Sequence, residues 1–324
     1  MGEQRAVYRF LAGVAVVLSL AGGVSLAPAA EAQDKAPSPE APGSRIHGFF
    51  DLSLKNDYIT PRGLLVTTPG QTVQVLAGLV LSLYNDPSGP INSASLVAGI
   101  WNDIWTDQGD RTVGAWNEFD WFAGVNFTVL QTWKFGVQYQ EFLSPPGHFR
   151  AESNIEFTLA YDDSKSGLPI AFNPYIRPFW AVSGDSTVVV GKRGGTFDVE
   201  IGMVPTLDLN KVGIPAVLSA PTWVTVGPET YWNGGSGVLK CTTCSSSNVG
   251  VFSTGLQAKV PLKFIPAGFG NWYARAGAQY YHLLNDNLLY AQTFTRGLTG
   301  PVGSPASAAR RDVGVLFGAV GFEF

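Results

Sequence analysis

Residues 311–324 read RDVGVLFGAVGFEF. In an extended chain Phe324, Phe322, Val320, Gly318 and Leu316 fall on one side, while Glu323, Gly321, Ala319 and Phe317 fall on the other. The side carrying the two terminal phenylalanines is apolar. Exposed chain ends ordinarily fray in water, so an apolar strand here calls for a neighbouring strand to pair with and an apolar medium to face.

The same period of two recurs through the middle of the chain. In WNEFDWFAGVNFTV, residues 116–129, Phe119, Trp121, Ala123, Val125, Phe127 and Val129 take one face and Glu118, Asp120, Asn126 and Thr128 the other. Trp133, Phe135, Val137 and Tyr139 oppose Lys134, Gly136, Gln138 and Gln140, and Ile155, Phe157, Leu159 and Tyr161 oppose Glu152, Asn154, Glu156 and Thr158. Aromatic residues gather near the segment ends. A secreted β-sandwich also alternates, but it turns its polar face to water and has no use for aromatic strand ends.

Composition points the same way. Charged residues make up 14% of the chain and aromatic residues 12%, with 38 glycines; an ordinary soluble domain carries about 25% charge. Beyond the N-terminal segment no run approaches the ~20 apolar residues of a membrane helix. The net charge of −4 is dispersed rather than gathered in a basic stripe, which argues against nucleic-acid binding.

Marking every alternating segment gives about twelve strands, over 48–59, 71–84, 94–105, 116–130, 132–142, 151–162, 170–181, 196–207, 216–229, 249–264, 271–283 and 312–324. Connections after even-numbered segments are short (NDPSGPINS, Q, DSKSGLP, DLNKVGIP, IPAGFG), and those after odd-numbered segments are mostly longer. Short turns on one side and long loops on the other are the layout of a closed antiparallel transmembrane β-barrel of the bacterial outer membrane, with both termini in the periplasm. The last strand is then expected to pair with the first, leaving no edge unpaired in lipid. Phe322 and Phe324 also resemble the C-terminal assembly signal of such barrels, which implies the barrel-assembly machinery and outer-membrane lipid and lipopolysaccharide as partners. Prolines 174, 178, 205, 221, 228 and 261 lie inside segments seven to ten and leave a ten-strand count open.

The N-terminus divides off. Arg5 and Arg9, an apolar run from Phe10 and the small-x-small Ala30-Glu31-Ala32 describe a secretory signal over 1–32, with an uncleaved anchor as the alternative. A polar, proline-rich flexible segment follows over 33–45, and the barrel is assigned to 46–324.

The first barrel segment carries a resemblance. DLSLKNDYITPRGLLVT, with Asn56, Asp57, Tyr58, Arg62 and Gly63, is similar to the opening strand of the TorF-type porin family, and LVAGIWNDIW resembles that family's third strand. Ile59, Thr60 and Pro61 make the spacing between Tyr58 and Arg62 one residue longer than that pattern. The resemblance implies a porin-like barrel of about twelve strands.

Functional residues are expected on the inner face. Polar parity assigns to the lumen Asp51, Lys55, Asp103, Glu118, Asp120, Lys134, Glu152, Glu156, Arg177, Asp198, Glu200, Lys259, Lys263, Arg275 and Glu323. Opposite charges on adjacent strands fall within cross-strand reach, with Glu118 and Asp120 facing the strand of Lys134 and Arg177 between two acidic strands. A twelve-strand barrel lies between those that side chains fill and those that leave an open pore. The readings that follow are a passive channel for small polar solutes, a filled structural or surface-contact barrel, and, third, a lipid-modifying enzyme.

No catalytic residue, cofactor or metal site is expected. Of three histidines only His282 falls near an outer rim, and no His-x-Ser pattern accompanies it. Cys241 and Cys244 have zinc-like spacing without further ligands, and in an exported chain they read as an intraloop disulfide. GKRGG lacks the context of a phosphate-binding loop.

Overall fold

The computed structural model describes residues 45–106, 115–147, 149–183, 195–232, 240–245 and 247–324. The expected signal, nearly all of the flexible segment, His148 and most of GKRGG lie outside them.

Strand β1 (Ile46–Lys55) enters the wall, β2 (Tyr58–Ile59) and β3 (Leu65–Thr67) form a small separate pair, and β4 (Thr72–Asn85), β5 (Ile91–Trp105) and β6 (Trp116–Val129) return to it. The wall continues through β7 (Trp133–Leu143), β8 (Glu152–Tyr161), β9 (Pro174–Ser183) and β10 (Thr196–Met203), extended by β11 (Thr206–Asp208). β12 (Val217–Ser219) and β13 (Thr222–Val226) follow end to end, then helix α1 (Glu229–Trp232), β14 (Val249–Pro261), β15 (Asn271–Leu283), helix α2 (Asp286–Thr295) and β16 (Asp312–Glu323). Because β11 prolongs β10 and β12 runs on into β13, the sheet closes as a twelve-stave antiparallel barrel.

Closure runs through the stretch that opened the sequence reading. β16 pairs β15 from Asp312 to Glu323 and β1 from Phe317 to Glu323, so Asp51 sits opposite Gly321 on one side and Leu76 of β4 on the other. Every wall strand has two partners, which removes the edges that would be left unbonded in hydrocarbon.

The prolines find places where a ladder bond is not needed. Pro174 begins β9 and Pro261 ends β14; Pro205 and Pro221 fall in the breaks between β10 and β11 and between β12 and β13. Pro178 lies where the β8–β9 ladder is interrupted, between the pairs Glu156–Phe179 and Leu159–Ile176. Pro228 follows β13. The twelve-strand count therefore holds with kinked staves. The first segment is shorter than expected, because β1 stops at Lys55 and residues 58–59 belong to an inward loop.

Parity sorts the two faces. On β16, Val313, Val315 and Phe317 are fully buried while Leu316 is 45% exposed. Leu79, Ile100, Trp121, Phe135, Phe157, Trp180 and Ile201 project outward from successive staves as an exposed apolar belt, and Trp116, Trp133 and Tyr161 lie at strand ends. In water this belt would be a liability; in lipid it is the required surface. Inside, large side chains lie flat across glycines of the adjacent stave: a Cβ at Gly277 would meet Phe317 at 2.4 Å, and one at Gly99 would meet Phe122 at 2.5 Å. Among the described residues no helix is long and apolar enough to cross a membrane.

Candidate functional site

Residues 56–71, between β1 and β4, turn back into the barrel instead of extending away from it. Tyr58 pairs with Thr67 and Ile59 with Leu65, and the tip is reversed at Gly63, whose φ of +90° a side chain would oppose. Trp223 of β13 fastens the tip by donating Nε1–H to the Pro61 carbonyl at 3.1 Å. Ile59 and Leu65 are buried with Tyr231 and Trp232 of α1, Leu288 and Leu289 of α2, and Val313 and Val315 of the wall. Thr295 at the end of α2 donates to the Leu65 carbonyl at 2.6 Å. One end of the lumen is thus filled by an apolar core made from loops.

Arg62 crosses the lumen from this loop. Its Nε is 3.1 Å from Asp198 Oδ1, a terminal nitrogen is 3.5 Å from Glu156 Oε2, and its guanidinium lies 3.5 Å above the Phe179 ring. Arg177 extends the network, with Nε 3.4 Å from Glu156 Oε1 and a terminal nitrogen 2.9 Å from Glu200 Oε1. Tyr175 donates its hydroxyl to the same Glu200 oxygen at 2.8 Å. Two guanidinium groups are held among three carboxylates, all nearly buried. Such pairing is what allows charge to persist away from water.

A second acidic group lies on the wall of β5, β6 and β8. Asp103 Oδ1 accepts from Thr72 Oγ1 at 2.6 Å and Gln74 Nε2 at 2.7 Å, and Glu118 Oε2 accepts from the Tyr58 hydroxyl at 2.7 Å. Asp120 and Glu152 are buried beside them, and Lys55 lies within Coulomb range of Asp103. Apolar side chains share this wall, since Leu76, Val97, Trp101 and Phe122 cluster with Tyr58.

Toward the end that holds the termini the lining changes. Asp51 pairs with Arg275 at 3.1 Å and accepts from Tyr273 at 3.0 Å, and Lys259 pairs with Glu323 at 2.8 Å, the latter two half-exposed. Ser82, Ser95, Asn126, Thr128 and Ala160 are intermediate in exposure, in contrast to the fully covered residues at the loop end.

Of the charged residues assigned to the lumen from sequence, Lys263 is out of place: it lies exposed in the turn after Pro261 has ended β14. Lys134 faces inward but pairs with Asp162 in the terminus-end turn at 3.3 Å, not with Glu118 or Asp120. Antiparallel register explains this, because Lys134 is opposite Thr128 while Glu118 and Asp120 sit at the far end of β6. Sequence parity missed Tyr58 and Arg62, which it placed within and just beyond a wall strand. The Thr-Pro-Arg-Gly turn signal was the available cue that the chain leaves the wall there.

Outside the wall, His282 Nδ1 is 2.7 Å from Asp312 Oδ1, with the Tyr280 hydroxyl also on Asp312. Cys241 and Cys244 are disulfide-bonded with Cα atoms 5.5 Å apart. Their turn is tied to the last loop through Thr243 Oγ1, which donates to the Gly303 carbonyl at 3.0 Å. Nearby Ser245 and Arg311 both bond Asp286 at the start of α2, at 2.8 and 2.6 Å. Partial burial disfavours the Asp286 carboxylate, but these bonds prevail and hold it below the usual carboxylate range.

No family model matches the chain, and no curated protein matches it. Solved structures do. The translocator domain of the autotransporter NalP from Neisseria meningitidis is 12% identical, over 99% of this chain and 97% of that one, with a TM-score of 0.40. An outer membrane channel from Pseudomonas putida F1 is 8% identical, over 90% of this chain and 100% of that one, with a TM-score of 0.44. Outer membrane phospholipase A from Escherichia coli is 12% identical, over 85% and 92%, with a TM-score of 0.39. No residue role is carried over from any of them. The closed wall, the paired edges and the apolar outer belt are those of a bacterial outer-membrane β-barrel.

Proposed function

We propose that the chain is a passive outer-membrane channel for small polar solutes, narrowed at its loop end by the inward segment 56–71. The observation that carries this reading is the gradient along the lumen. Lining side chains at the terminus end are small or polar and partly exposed, whereas those at the loop end are covered by one loop, two short helices and a charge network that narrow the lumen. A barrel serving only as a surface scaffold gains nothing from a polar, partly exposed half-lumen with a separate constriction. The TorF-type likeness of the first strand supports the porin reading, and the proposal includes lipopolysaccharide at the loop end and assembly through Phe322 and Phe324. It assigns His282, whose Nδ1 lies 2.7 Å from Asp312 Oδ1, to the rim of the barrel and gives it no catalytic role.

The second reading, a non-conducting barrel, draws on the same plug. Planar-bilayer recording separates the two. The channel reading expects discrete conductance steps with modest cation preference, since among the described residues the inner wall carries more carboxylates than cations; silence at every salt concentration leaves the scaffold.

A further inference from the structure

We infer that three neighbouring turns at the terminus end of the wall form an anchor for anionic phospholipid, immersed in the headgroup layer of the leaflet at that end. This goes beyond the channel reading and does not depend on conduction.

Turn tips that face water are ordinarily built from small and polar residues. The β4–β5 turn follows that rule, with Asp86 accepting from Ser88 and Gly89 and Ser88 exposed. The turns from β8 to β9, from β11 to β12 and from β14 to β15 break it. Leu168 and Phe172 are exposed in the first, Val212 and Ile214 in the second, and Phe264 and Phe269 in the third. Val212 is 72% exposed and Phe264 80%, against 54% for Leu79 of the outward belt. Because β9 pairs β10 and β12 pairs β14, the three turns follow one another around the rim as one arc.

The arc is continuous with the surface that already faces lipid. Ala171 bridges Thr206 of β11, so this side of the wall runs on past Met203, an exposed residue at the end of β10. At the other end of the arc Trp272 donates Nε1–H to the Phe269 carbonyl at 2.8 Å, and its ring lies 4.7 Å from that of Phe322. Phe322 stacks in turn on Phe50 and Phe324 on the outer face. Exposed apolar surface rimmed by polar residues marks a membrane or protein contact, and continuity with the belt selects the membrane.

Charge sets the depth and the headgroup. Lys165, Lys211 and Lys263 are exposed, one on each turn, and the latter two adjoin Val212 and Phe264. The carboxylates of these turns are less exposed and bonded close by. Asp162 pairs with Lys134, Asp163 accepts from the Phe172 and Asn173 amides, and Asp208 accepts from the Asn210 amide. Bulky apolar side chains beside ammonium groups suit the boundary between acyl chains and headgroups, where lysine stems lie along the apolar side and the charge meets anionic lipid.

The test places a nitrobenzoxadiazole label on Phe264→Cys, Val212→Cys and Ser88→Cys variants of the full chain in vesicles of phosphatidylcholine and phosphatidylglycerol. Cys241 and Cys244 are disulfide-bonded and stay unlabelled without reductant. Labels replacing Phe264 and Val212 should be quenched by nitroxide-bearing lipid and shielded from iodide supplied on both sides, and the label replacing Ser88 should show the reverse. Phe264 and Val212 lie on different turns, so either serves if the other variant does not fold. Iodide quenching equal at all three positions overturns the anchor and leaves the arc to a protein partner. Equal lipid quenching at all three traces the signal to the label and overturns it too. Lys211→Gln with Lys263→Gln should lower the preference for nitroxide-bearing phosphatidylglycerol over phosphatidylcholine by about fivefold for each lysine; an unchanged preference overturns the anionic assignment.

Discussion

Replacing Arg62 with alanine should release the inward loop while leaving the wall intact. The side chain is 7% exposed and makes two ion pairs, at 3.1 Å to Asp198 and 3.5 Å to Glu156. Removing one partner of a buried ion pair costs about 3–5 kcal/mol, because the remaining charge stays behind without compensation. Here Glu156 retains Arg177, but Asp198 loses its ion pair with Arg62, and the contact over Phe179 is lost as well. The wall ladders do not pass through residue 62, so the loss should fall on segment 58–67. Hydrogen exchange by mass spectrometry reads it locally: 3–5 kcal/mol corresponds to exchange about 10²- to 10⁴-fold faster at Gly63 and Leu64, whose amides bond within the loop. Barrel-strand amides should be unchanged. The double variant Arg62→Met with Asp198→Asn removes both charges and should recover most of the protection. Equal protection of 58–67 in wild type and Arg62→Ala would refute the claim that this ion pair holds the plug.

Other outcomes follow from the same physics. Val125→Arg, on the outward parity of β6 near mid-height, should destabilise the barrel by about 2–4 kcal/mol in urea titrations from lipid vesicles; a neutral effect there with a large one at Asn126 would mean the faces are inverted. Cys241→Ser with Cys244→Ser should remove about 2 kcal/mol or less, the closed loop being very short, and should loosen the tie to Gly303 without shifting the melting of the wall. Because Asp286 has a depressed pKa, its contribution is fully present above the unfolded value of about 3.9 and is lost as pH falls through the lower folded value. Exchange protection of α2 should therefore hold from pH 7 to about 5 and decline below about 4, and Asp286→Asn should flatten that decline.

The wall was legible from sequence because a membrane barrel writes its two solvents onto alternate residues. β15 and β16 were located almost to the residue, since apolar residues flanked by turn signals leave little freedom of register. The plug was far less legible. Val313, Val315 and Phe317 are apolar on the inner face, where a hydrated lumen would ask for polar side chains, and Leu316 is apolar on the outer face. A strand apolar on both faces signals that something covers the inside, but it does not say which loop. Arg62 was visible as a residue, and its partners Asp198 and Glu156 are 136 and 94 residues away. No local pattern connects them. Lys263 shows the converse weakness, since parity continued past Pro261 although the ladder did not.

The central claim, a polar lumen narrowed at one end by a charge-held loop, is tested most directly by single-channel recording of wild type and Arg62→Ala side by side in planar bilayers at 1 M and 0.1 M salt. The account predicts small steps with modest cation preference for the wild type and larger, more frequent openings for Arg62→Ala. Bilayers that stay silent with both proteins, each shown to be folded and inserted, would contradict it.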